Sequence, residues 1–174
     1  MVETFAEKIA VSMKRTVPEQ TTSVDVMKYS LILLINSVAI FVLSLSIGWF
    51  TGKFTETLYT IISFVLLRFF AGGMHFKTAL QCIVVSTLVL SILPHIPINY
   101  QTTIILTTIS FVIILLRAPF DIKKKSKIPE NYFPLLKVLA ALIVATNFFF
   151  MSTILAKSFF TESLSTVKLR RKDR

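Results

Sequence analysis

The stretch Arg68-Phe-Phe-Ala-Gly-Gly-Met-His-Phe-Lys-Thr-Ala-Leu-Gln-Cys82 gathers two of the chain's four glycines, one of its two histidines and its only cysteine. A thiol is mostly protonated at neutral pH and needs a base to become a nucleophile. An imidazole within reach takes that proton and returns it to a leaving amine, so a carbonyl attacked by the sulfur would become a thioester. His75 and Cys82 are the candidates for this chemistry. In an unbroken helix they would share a face yet stand about 10.5 Å apart along the axis, too far for a hydrogen bond. Gly72 and Gly73 therefore matter, because they allow the chain to bend before the helix that carries the cysteine.

Each of these residues also has a plainer reading. A lone cysteine in an apolar helix is usually a small buried hydrophobe, and a lone histidine at a membrane boundary is usually a hydrogen-bonding structural group. A glycine pair can simply end a helix. Arg68 either snorkels to headgroups or holds a substrate carboxylate or the attacked carbonyl. His95, between Pro94 and Pro97, reads as a turn residue remote from Cys82.

The elements that must position these groups are membrane helices. The 174 residues are 54% hydrophobic and include sixteen phenylalanines. Four glycines and six prolines are too few to break the long apolar runs, so the expected fold is all-α and polytopic. Five runs stand out, over about Tyr29–Phe50, Leu58–Phe70, Ala79–Leu93, Thr102–Leu116 and Leu135–Leu155. Phe148–Val167 offers a short sixth, giving five to six transmembrane helices. Ahead of them, Val2, Phe5, Ala6, Ile9, Ala10, Met13 and Val17 recur at helical spacing and predict an amphipathic helix on the membrane surface. Glu3 and Glu7, with no short apolar core, argue against a cleavable signal peptide. Thr22 and Asp25 suggest a capping-box start to the first span. The expected organisation is one integral membrane domain: an amphipathic cytoplasmic segment over 1–28, a helical bundle over 29–167 and a basic tail over 168–174.

The net charge of +10 lies in the connections and ends. That placement fits loops against anionic lipid rather than nucleic acid, for which no motif is present. The N-terminal segment, Arg68–Lys77 and the loop holding Lys123, Lys124, Lys125 and Lys127 are basic, so the positive-inside rule puts them, and the Gly-Gly-Met-His stretch, at the cytoplasmic face. Five crossings would leave the basic tail outside, which favours the sixth segment. The lysines of that loop and Lys77 could gather an acidic peptide, although such runs are most often solvated. One cysteine excludes an internal disulfide, no cluster has metal-ligand spacing, and nothing calls for a cofactor.

Arg68-x-x-Ala71-Gly72-Gly73-x-His75 followed by Cys82 resembles the signature of the AgrB (accessory gene regulator protein B) family. The Phe5-Ala-Glu-Lys-Ile-Ala10 start, Lys28-Tyr29, Ala118-Pro119 and Pro129 extend the likeness over nearly the whole chain. The resemblance implies a cysteine endopeptidase of the bacterial cell membrane. It would remove the C-terminal tail of a short AgrD-like propeptide and promote cyclisation of the remainder to a quorum-sensing peptide. On that likeness Cys82 is the nucleophile, His75 its base, and Arg68, Gly72 and Gly73 supporting residues. The implied partners are the propeptide and membrane lipid, with a homodimer allowed. Competing readings are a small helical transporter or channel, which would place charges or glycine/proline pairs at mid-span, and a scaffold in which Cys82 only packs. His-Glu-x-x-His and Gly-x-Ser-x-Gly are both absent.

Overall fold

A computed structural model describes residues 2–17, 23–74, 76, 78–119 and 129–167. Its helices, in chain order, are α1 (Val2–Thr16), α2 (Val24–Phe50), α3 (Phe54–Ala71), α4 (Ala79–Ile92), α5 (Tyr100–Arg117), α6 (Phe133–Ala145), α7 (Asn147–Phe150) and α8 (Thr153–Ser165). Among the described residues, four stretches are long and apolar enough to cross a membrane: α2, α3, α5 and the α6–α7 pair over Phe133–Phe150. The apolar helix α4 is shorter and runs through a 3-10 turn to His95. The architecture is the all-α, polytopic one expected, with the sixth segment present as α8.

Polarity is arranged for lipid. Phe50 and Phe149 are 87% and 89% exposed, while Thr57, Thr60, Ser63, Thr103, Thr107, Ser110 and Ser158 are buried. A water-soluble helix bundle would reverse that distribution. Lipid supplies no hydrophobic drive for helix association, so small and polar residues form the interfaces and their hydroxyls look for partners inside the bundle. Those of Thr57, Thr60, Ser63, Thr103, Thr107, Ser110 and Ser158 find them, whereas the buried hydroxyls of Ser44, Thr87 and Ser91 have no partner among the described residues. Ser63 donates to Ser158 Oγ at 2.8 Å, and Ser158 to the Thr60 carbonyl at 3.1 Å, joining α3 to α8. At Gly48 of α2 a Cβ would come within 2.6 Å of Thr57 Oγ1, so the α2–α3 hairpin closes on a hydrogen atom.

The apolar core lies between α3, α5, α6 and α8, around Leu67, Ile114, Val144 and Phe159. Helix α8 is thus central. Its boundaries differ from the expected Phe148–Val167 because Met151, at φ 49°, breaks the preceding segment and Ser152 caps the new helix. Asn147 fixes that break: its Nδ2 donates to Thr107 Oγ1 at 2.9 Å and to the Ser152 carbonyl at 3.2 Å, and its Oδ1 accepts from Ser152 N–H at 3.0 Å. The first span likewise begins earlier than its apolar run, at Val24, capped by Ser23 one residue beyond the expected Thr22. Thr22 itself and the lysine loop lie outside the described residues.

Helix α1 packs through Ala6 and Ala10, both fully buried, which lets its backbone approach α2 closely. Lys28 of α2 pairs with Glu7 at 2.7 Å. Glu3 Oε1 accepts the Ala79 N–H at 3.1 Å, so a side chain of α1 caps the helix that carries Cys82. Bonds from its own N–H and that of Ala79 hold the Glu3 carboxyl below its ordinary value of 4.5. A carboxylate depressed in the folded state contributes fully above its ordinary range and is lost as pH falls through the lower folded value. Acidification through that window should loosen α1 from α4. In a Cys82→Ser background, spin labels at positions 8 and 85 should report a lengthened and broadened distance on acidification. Glu3→Gln should remove the pH dependence of that distance.

Candidate active site

Helix α3 ends at Ala71 because Gly72 turns the chain at φ 72°, its N–H still closing on the Arg68 carbonyl at 2.9 Å. A side chain at that φ would be strained, so glycine suits the position. Helix α4 restarts at Ala79, with Thr78 as N-cap accepting from Gln81 N–H at 3.3 Å. The described residues between Ala71 and Ala79 are not helical, and Cys82 therefore sits in the first turn of a new helix. His75 and Lys77 fall in this connection but outside the described residues, as do Lys123, Lys124 and Lys125.

The residue before His75 is held at both backbone groups. Met74 N–H donates to the Ser165 carbonyl at 3.1 Å, and the Met74 carbonyl accepts from Arg68 Nη2 at 2.6 Å. Arg68 also spreads Nη1 over both oxygens of Glu162, at 3.2 Å each, and its guanidinium stands 5.8 Å from the centre of the Phe64 ring. Arg68 thereby ties α3, the C-terminal end of α8 and the α3–α4 connection together. Gly73 completes the junction. A Cβ there would lie 2.6 Å from Ser165 Oγ and 2.8 Å from both Arg68 Nη1 and Glu162 Oε1, so any larger residue would displace the ion pair.

Cys82 is half-buried. It lines a cavity of about 400 Å³ between α2, α3 and α4, shared with Arg68, Asn36 and Ser86 and walled by Phe41 and Phe64 among other apolar side chains. The structure thus brings Arg68 and Cys82 to one pocket and sets the Gly72-Gly73 turn directly beyond Arg68. Among the described residues no group of three or more His, Cys, Asp or Glu side chains could hold a metal ion.

Glu162 was not singled out from sequence. The signal was available: a carboxylate inside an apolar segment needs a partner, as does an arginine at the end of another. What linear reading lacked was the 94-residue separation between them. Lys157, 6% exposed and five residues earlier on α8, was missed for the same reason; its Nζ donates to the Ile96 carbonyl at 2.8 Å.

These features define a polytopic membrane protein with a single thiol in an apolar-walled pocket, beside an arginine-stapled glycine turn. The chain belongs to the accessory gene regulator B family, which matches residues 6–168. It is 32% identical over 118 residues to the accessory gene regulator protein B of Staphylococcus aureus strain Newman, covering 66% of this chain and 61% of that protein. The same protein of strain bovine RF122 is 32% identical over 84 residues, 46% of this chain and 45% of that one. A protein named as AgrB-like in Halalkalibacterium halodurans is 26% identical over 97 residues, 56% and 49% of the two chains. The chain thus spans about half to three-fifths of the curated relatives it matches. No solved structure matches.

The ion pair should dominate local stability. Glu162 is fully buried, whereas Arg68 keeps a quarter of its side chain exposed. Glu162→Gln should therefore cost about 3 kcal/mol, the lower end for breaking a buried pair, since Arg68 retains some solvation. Thermal unfolding in detergent would measure this loss. Limited proteolysis should show new cutting over residues 72–78. Replacing both partners, Arg68→Met with Glu162→Leu, should recover most of the stability.

Proposed function

We propose that this protein is a membrane-embedded cysteine endopeptidase that trims a short AgrD-like propeptide and promotes its cyclisation. The observation that carries the reading is Cys82 in the first turn of α4, lining an apolar-walled pocket directly after a bent, backbone-pinned connection that includes His75. Family membership supports a role in accessory gene regulator peptide processing.

The reaction follows from the groups available. His75 takes the Cys82 proton, and the sulfur attacks the carbonyl carbon of the scissile peptide bond. As the C–N bond breaks, the proton passes to the departing amine and the propeptide tail leaves. The remaining acyl group is a thioester on Cys82. A cysteine thiol or serine hydroxyl within the same peptide then attacks that thioester, closing a ring and returning a proton to the Cys82 sulfur. Arg68 is assigned a positioning role, holding Met74 next to the base, with Gly72 and Gly73 providing the turn and the close approach. Lys77, Lys123, Lys124 and Lys125 are assigned to gathering the acidic part of the propeptide. The reaction is assigned to the cytoplasmic side of the bacterial cell membrane because the basic connections carry that signature.

Co-expression with an AgrD-like propeptide should give tail cleavage, read by mass spectrometry. Cys82→Ala should abolish it, and His75→Ala should reduce it by about 10²–10⁴-fold, the usual cost of losing a general base. Cleavage that survives Cys82→Ala would overturn the nucleophile assignment.

Orientation is separately testable because Cys82 is the sole thiol. A membrane-impermeant maleimide should label Cys82 in inverted vesicles and leave it unlabelled in intact spheroplasts. The reverse pattern would overturn the cytoplasmic assignment.

A further inference from the structure

The membrane helices carry two buried asparagines, and they are not alike. Asn147 spends both ends of its carboxamide on Thr107 and Ser152, and its role in fixing the α7–α8 break is complete within the protein. Asn36, on α2, is 7% exposed, and its Oδ1 has no hydrogen-bond partner among the described residues. A buried acceptor left unpaired in a lipid-spanning helix is costly. The buried hydroxyls of Ser44, Thr87, Ser91 and Ser165 are unpaired among the described residues as well, but none of those residues lines the cavity that Cys82 shares. An asparagine serving as glue between helices would bond a neighbouring helix, as Asn147 does. Asn36 instead lines the same cavity of about 400 Å³ as Cys82 and Arg68.

From this contrast we infer that Asn36 binds the substrate's main chain, its carboxamide oxygen accepting one backbone N–H of the peptide segment that lies in the pocket beside Cys82. The inference rests on the endopeptidase reading and adds to it a specific contact. An extended peptide fits the walls as well as the acceptor. Its apolar side chains face Phe41, Phe64 and Val65, and its N–H meets Asn36 Oδ1, the one unpaired buried polar atom among the described residues that line the pocket. A lipid acyl chain would satisfy the walls and leave the oxygen unpaired. Because the contact persists from bound substrate to transition state, its loss raises KM and leaves kcat nearly unchanged.

The test uses the full chain in lipid nanodiscs with a synthetic AgrD-like propeptide. It adds a series of backbone esters, each replacing one N–H near the scissile bond by oxygen. Asn36→Leu should raise KM about tenfold, the loss of one hydrogen bond. One ester should weaken the parent by a similar factor, and that same ester should add nothing further in Asn36→Leu. The thermal midpoint of Asn36→Leu without peptide should not fall, since no bond within the protein is lost. Should the leucine variant fail to accumulate, Asn36→Ala takes its place. Parental KM in the variant, losses that add for every ester, or a lowered midpoint accompanying the loss would each overturn the contact. Binding of the same esters to Cys82→Ala, with and without Asn36→Leu, reads the contact without cleavage. Failure of the parent to cut would sink the endopeptidase reading, while the binding series would still decide Asn36.

Discussion

A guanidinium can sit at the end of a membrane helix either by reaching the headgroups or by finding a counter-charge inside the protein, and the choice determines what the surrounding backbone can do. In this chain Arg68 finds Glu162. Because Nη1 alone covers both carboxylate oxygens, Nη2 is free to take the Met74 carbonyl. One side chain therefore fixes the end of α3, the end of α8 and the connection that leads to α4. Remove the carboxylate and the desolvated cation must move outward. The Met74 contact would go with it, and the turn beyond Gly72 would lose its anchor.

The position of α8 follows from the same economy of polar groups. A thirteen-residue helix is about 20 Å long, short of a hydrocarbon core of about 30 Å. It is sheltered between α3 and α5 rather than exposed to lipid tails. Its Ser158 bonds α3, its Lys157 bonds the carbonyl of Ile96 at one end, and its Glu162 holds Arg68 at the other. The helix is a polar strut inside an apolar jacket. The two charged anchors lie five residues apart in the middle of the helix, and they reach in opposite directions along it.

The spans were legible because lipid demands uninterrupted apolar stretches, and Tyr29–Phe50 and Ala79–Leu93 come close to α2 and α4. The polar turn of α2 before Tyr29 was legible through the capping signal at Thr22 and Asp25, although the cap itself falls on Ser23. Helix α8 was the weakest expectation: Lys157 and Glu162 lower its apolar character, and their partners lie far away in sequence. The bend between α3 and α4 was readable from the glycine pair alone, because Gly72 takes a conformation other residues avoid. The difference between Asn36 and Asn147 was not readable. Both are single polar residues in apolar runs, and only the packed helices reveal which one has its bonds satisfied.

On the proposed reaction, the pocket must solve a competition. A thioester can be taken by water, giving a linear acid, or by an internal nucleophile of the same peptide, giving a ring. Hydrogen bonding to the carbonyl assists both outcomes alike, so selectivity has to come from access and from holding the peptide folded back on itself. Apolar side chains of α2 and α3 wall the pocket that Cys82 lines. A single main-chain contact at Asn36 would restrain the acyl portion after the tail departs, when binding energy from the tail is gone. On this reading the apolar walls and the Asn36 contact have separate tasks: the walls disfavour water near the thioester, and the contact keeps the acyl portion folded towards its internal nucleophile.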